Sequence, residues 1–98
     1  MSRDLFHDFA AHLKRKCPTR RRVIIRRVAM GAHGSTSLTD DEQTITVCIR
    51  RGDSARTQIE TLIHEWGHVL EYDRQGYHGD VWGAGNAAAY RAWLEWEQ

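Results

Sequence analysis

The sequence predicts an α+β domain: an N-terminal helix, a small three-stranded antiparallel sheet and two further helices around one core. Three observations predict it. Leu5, Phe6, Phe9, Ala10, Leu13 and Cys17 recur at helical spacing. Thr44 to Arg50 alternates, with Ile45, Val47 and Ile49 on one face. Two more helical stripes follow, separated by a glycine-containing loop. A chain of 98 residues has the length of one domain, read as 1–98.

In the first helix Ser2 is the expected N-cap and Pro18 the stop. The β-branched run in "RRVIIRRVAM" predicts a strand from about Arg22 to Ala29, broken by Gly31 and Gly34. Gly34 to Leu38 and Thr44 to Arg50 read as a hairpin around the turn "TDDEQ". Asp53 or Ser54 can cap the central helix, expected from about Ser54 to Arg74, with Ile59, Leu62, Ile63, Trp66 and Leu70 inward. Gly76 marks its stop. The last helix is expected from about Asp80 to Glu97, with Asp80 as N-cap and Trp82, Asn86, Ala89, Tyr90 and Trp93 on its inner face.

The net charge of +1 hides an asymmetry. Residues 1–52 hold 11 Lys/Arg against 5 Asp/Glu; residues 53–98 hold 3 against 8. The positive side is concentrated in "KRKCPTRRRVIIRR", Lys14 to Arg27, which could draw nucleic acid weakly. No aromatic residue interleaves with those arginines, so a base-stacking platform is not indicated. The two cysteines, Cys17 and Cys48, have no paired spacing and read as free thiols in a reducing compartment. "MSRDLFHDFA" does not read as a signal peptide, and no run approaches the roughly 18–20 apolar residues of a membrane span. The expected location is the cytoplasm of a bacterial or phage-infected cell, with no membrane partner.

The chemistry centres on "LIHEWGHVLE", Leu62 to Glu71. His64 and His68 are four apart, so a helix projects both from one face. Two imidazole nitrogens can then reach one zinc ion, at bonds of about 2.0–2.1 Å. Glu65 projects about 100° away from His64 and is placed as the base that takes a proton from a metal-activated water. Chance is a poor account of His-Glu-x-x-His. With six His and six Glu, about 2% of shuffled chains would carry it. Gly67 costs about 1 kcal/mol in mid-helix relative to alanine, which suggests the close approach of another element.

A third ligand must come from elsewhere. The longer motif, with a glycine and a third histidine on the same helix, fails: Glu71 and Arg74 hold those positions. Glu95 or Glu97 near the C-terminus is one possibility, and His78, just past a chain-reversing turn, is another.

"HEWGH" followed by "HGDVWG" resembles the SprT-like zinc metallopeptidases, which include the Spartan DNA–protein crosslink proteases. The likeness covers roughly Thr57 to Trp93 and is strongest to the short stand-alone members of phage genomes. It implies a zincin-like fold and one Zn2+ per chain. By this resemblance His64, His68 and His78 are the ligands, Glu65 is the catalytic base and Trp82 is the packing residue that follows the ligand loop. The implied activity is zinc-dependent hydrolysis of peptide bonds in a peptide or protein substrate. Gly34 to Leu38 is the candidate for the family's cleft-side strand that pairs with an extended peptide. The chain departs from larger members in having no room for an appended zinc ribbon or DNA-binding region. The His-Glu-x-Gly-His form also occurs in ImmA/IrrE-like peptidases, which leave His-Gly-x-x-Trp unexplained.

Tyr90 could donate to a developing oxyanion. Asn86, and after it Asp80, could steady a ligand histidine. His33 in "GAHGS" could line the cleft, although an ordinary loop position is the simpler reading. His7 and His12 read as exposed, and Trp66 as core. The alternative function is a zinc-stabilised nucleic-acid-associated or protein-binding module without protease activity.

Overall fold

Strand β3 (Thr44–Arg50) is the centre of the sheet, with β1 (Arg22–Val28) on one side and β2 (Gly34–Leu38) on the other. The computed structural model describes residues 4–74 and 79–96, and of 79 and 80 the backbone alone. Helix α1 (Leu5–Lys16) precedes the sheet; α2 (Ala55–Arg74) and α3 (Gly79–Trp96) follow it. Described boundaries fall within one residue of expectation, apart from the first helix's cap. Asp4, not Ser2, caps α1, its carboxylate accepting from the His7 N–H at 3.0 Å. Ser54 caps α2 by accepting from the Thr57 N–H at 3.2 Å.

The sheet is mixed, which corrects the antiparallel expectation. β2 and β3 form the expected antiparallel hairpin, but β1 runs parallel to β3, with Val23 opposite Ile45 and Ile25 opposite Val47. The reason lies in β3. Its Ile45, Val47 and Ile49 are fully buried, so it takes the position where both backbone edges are paired. The five residues 29–33 need only span one intervening strand, roughly 9–10 Å, which is well within their reach. That link is pinned over the end of β3. The Arg50 N–H donates to the His33 carbonyl at 2.8 Å, the Arg51 N–H to Val28 at 2.9 Å, and the Arg50 guanidinium to Gly31 at 2.9 Å.

Helix α2 covers the inner face of β3 and β2 with Ile59, Leu62, Ile63, Trp66 and Val69. Helices α1 and α3 pack against α2, and Phe9 meets Trp93 edge to face at 5.3 Å. The buried apolar residues make one cluster. His12 is not an exposed helix residue. Its ring lies against Phe9 and Trp96, and its Nε2 is buried.

The C-terminal end of α2 is tied to the segment after α1. Buried Asp73 accepts from the Arg20 and Arg21 N–H groups at 3.1 and 2.8 Å. The Arg21 guanidinium donates to the Tyr72 and Asp73 carbonyls, acceptors that the end of α2 leaves open, and to the Glu42 carbonyl in the β2–β3 turn. No described helix is long and apolar enough to cross a membrane.

Candidate metal centre

Helix α2 presents His64 and His68 on one face, with ring centroids 5.7 Å apart and planes at 74°. Trp82 of α3 closes over both, 5.3 Å from the His64 ring and 6.2 Å from that of His68. It can do so because residue 67 is glycine: a Cβ there would lie 2.3 Å from Trp82 Cδ1. The close approach inferred from Gly67 is thus made by Trp82. The His68 ring is also held by Glu71, whose Oε1 is 2.8 Å from Nδ1.

Glu65 is only 7% exposed. It turns from the histidine face toward the sheet, where the Thr36 hydroxyl donates to its Oε1 at 2.7 Å. Strand β2 comes this near because Gly34 has no side chain: a Cβ would sit 2.5 Å from Thr61 Cγ2 and 3.3 Å from Glu65 Cγ. Between the strand and the helix lies an open depression of about 480 Å³, lined by His33, Gly34, Thr57, Glu60, Thr61, His64 and Glu65.

His33 therefore lines the depression and is more than an ordinary loop residue. Its Nδ1 is 2.8 Å from Asp53 Oδ2, and Arg50 Nε donates to Asp53 Oδ1 at 2.9 Å. The His33 hydrogen bond, with Arg50 adding to it against the opposing effect of burial, holds the Asp53 carboxyl below the usual aspartate range. Arg50 Nη2 also lies 3.0 Å from the same His33 nitrogen. Arg50 already bonds Asp53 through Nε, so the consistent assignment gives the Nδ1 proton to His33 and points it at the carboxylate.

The structure brings together three of the expected site residues, His64, Glu65 and His68. His78 and Glu97 lie outside the described residues. Among the described residues, no group of three or more His, Cys, Asp or Glu is arranged to hold a metal. Asp80 is the second residue of α3 and so not the N-cap expected from the sequence, and its side chain is outside the description. Asn86 donates to the Ile63 carbonyl at 3.1 Å, so its described bond joins α3 to α2 and does not steady a histidine. Tyr90 is not on the inner face; it is 52% exposed. Glu95 is exposed, and its 13-residue separation from Trp82 along α3 corresponds to about 20 Å, too far to complete the site.

Sequence reasoning missed Thr36 and Glu71 and discounted His33. Glu71 was within reach of it, since residues three apart on a helix are neighbours. The other two meet α2 only through the fold.

The basic cluster is divided. Arg21 is spent on main-chain carbonyls, and Arg27 pairs with Asp4 while lying 4.9 Å over the Phe6 ring. Lys14, Arg15, Lys16, Arg20, Arg22 and Arg26 remain exposed. Cys17 and Cys48 are free thiols, and burial pushes the Cys17 thiol up, away from nucleophilic character.

Comparison with protein-family models, with curated proteins and with solved structures finds no match for this chain.

The donor chemistry fits zinc. Two imidazoles share a face, one of them is backed by a carboxylate, and a second carboxylate is buried beside them.

Proposed function

We propose that the protein is a zinc-dependent metallopeptidase of the SprT-like kind, with a zincin-like arrangement of its site. One observation carries this reading: α2 sets His64 and buried Glu65 in the wall of a depression that edge strand β2 begins on its far side, with the His68 ring next to that of His64. A helix that merely carried two surface histidines would have no use for a buried carboxylate among them.

His64 and His68 hold the ion from one helix face. His78, bonded to Gly79 at the start of α3, is the proposed third ligand. Zinc held there would supply a Lewis acid able to polarise a carbonyl and to lower the pKa of water toward neutrality. Glu65 keeps Oε1 on Thr36, so Oε2 is the atom that takes the proton from the attacking water and returns it to the leaving amine. The outer edge of β2 is unpaired in the sheet, and its main-chain groups can align an extended peptide across the depression. Burial of Glu65 against the strand keeps the base beside that peptide. A cytoplasmic place of action, in a bacterial or phage-infected cell, accords with two free thiols.

Metal analysis of the wild type and of His78→Ala tests the ligand set. One zinc per chain, lost in the variant, supports it. Digestion of an unfolded protein substrate that disappears in Glu65→Ala supports the activity. Zinc without digestion would leave the second reading, a zinc-stabilised binding module. The exposed Lys14–Lys16 cluster and Arg20, Arg22 and Arg26 favour a nucleic-acid partner for such a module. A chain that takes up no zinc would remove both.

A further inference from the structure

Glu71 has no part in the mechanism above, yet among the described residues its carboxylate is the one acidic group bonded to a proposed metal ligand. Oε1 lies 2.8 Å from His68 Nδ1, three residues back along α2. Its side chain is 22% exposed, against 45% for His68, so the pair is partly withdrawn from water. His64 differs. Its ring meets Trp82 and His68 but makes no hydrogen bond among the described residues. The two ligands are thus held by different means, one by packing and one by a carboxylate.

We propose that Glu71 is a positioning residue for His68, fixing the imidazole for zinc. This rests on the metal site proposed above. The carboxylate can only accept, so Nδ1 carries the proton and Nε2 presents its lone pair to the ion. The bond also sets the ring's rotation about χ2. The nearby negative charge strengthens Nε2 as a donor, as carboxylates behind zinc-bound histidines do. An ordinary exposed pair at this spacing would contribute only a few tenths of a kcal/mol to the helix and nothing to a ligand. Glu71 stands at the position where the longer His-Glu-x-x-His motif has a glycine. The departure from that motif thereby gains a purpose: the residue that replaces the glycine supports the second histidine.

Zinc affinity of the full-length apo-protein, by competition with a chromophoric chelator, tests this in wild type, Glu71→Gln, Glu71→Ala and Glu95→Ala. The expected order is a loss of about 10–100-fold in Glu71→Ala and a smaller loss in Glu71→Gln, whose amide oxygen still accepts. Glu95→Ala removes the same charge at a distance and should stay within about twofold, since salt screens it. Imidazole nitrogen chemical shifts of the apo-protein above about pH 8 give a readout that needs no metal. His68 should be the Nδ1–H tautomer in the wild type and shift toward Nε2–H in Glu71→Ala. Equal zinc affinity in Glu71→Ala, or an Nε2–H tautomer in the wild type, overturns the positioning role alone. A wild type that takes no zinc overturns the metal site and this role with it. If Glu71→Ala unfolds, Glu71→Gln and the wild-type tautomer still decide.

Discussion

The Thr36 hydroxyl donates to Glu65 Oε1 at 2.7 Å, joining the edge strand of the sheet to the carboxylate proposed as the base. The two residues are 29 apart in sequence, and only the packing of β2 on α2 brings them together. The bond supplies a buried carboxylate with a partner and fixes which oxygen remains for water.

Thr36→Val keeps the shape and removes the donor. Leaving a buried acceptor unsatisfied costs about 1–3 kcal/mol. The expected result is a loss of kcat/KM of roughly 10-fold or more, equivalent to about 1.4 kcal/mol, with zinc content unchanged. Thr36→Ser should recover most of it. Equal kinetics in Thr36→Val would mean that Glu65 is oriented by something else.

Gly67→Ala and Gly83→Ala should move stability in opposite directions. A Cβ at 67 would press into the Trp82 ring, while one at 83 meets nothing within 4 Å. Overpacking costs about 1–3 kcal/mol, more than the roughly 1 kcal/mol that alanine gains in a helix. Gly83→Ala receives that gain without the clash. Thermal melts of the two variants should therefore fall on either side of the wild type.

Asp53→Asn should cost stability at neutral pH and progressively less in acid. The carboxylate faces His33 and Arg50, and its folded-state pKa is depressed by them. A depressed pKa stabilises the fold above the unfolded value, near 3.9 for aspartate, and that contribution is lost as pH falls through the lower folded value. The difference in Tm between wild type and variant should be full at pH 6–7 and close below about pH 4. A gap that does not narrow at all as pH falls from 6 toward the acid limit of the fold would show that the charge is not what matters.

Asp73→Ala should destabilise the fold without touching the site. It strands the Arg20 and Arg21 N–H groups, each now bonded to one carboxylate oxygen. A loss of about 1–3 kcal/mol follows, at roughly 4–8 °C of Tm per kcal/mol for a domain this size. Asp73→Asn, with one acceptor left, should fall between. Zinc affinity should be unchanged in both.

The elements were legible because each carries its own period. The bounds of β2 and β3 follow from alternation and turn residues, and α2 from its stripe. Alternation tells a strand which face it buries, but not which strand lies beside it, so the parallel pairing of β1 with β3 was hidden. Tyr90 shows the limit of a helical wheel. It is about 100° around α3 from fully buried Ala89, at the margin of the stripe, and the structure leaves it outside. In the site, His64, Glu65 and His68 were legible because their spacing is local. Thr36 and His33 join only by tertiary contact, across gaps that no periodicity encodes.

The placement of β3 between its two predecessors has a consequence for the order of assembly. As the chain leaves a ribosome, β1 emerges first and has nothing to pair with. Its nearest backbone partner is 22 residues later, Arg22 opposite Thr44, whereas Leu38 meets Ile45 after seven. Closing the shorter loop costs less entropy, so the β2–β3 hairpin is the unit that can form on its own. β1 then joins an edge that already exists. Until the seven residues of β3 have been made, the hydrogen-bonding edges of both earlier strands stay open, and any interruption of synthesis there would release a chain with two unprotected edges.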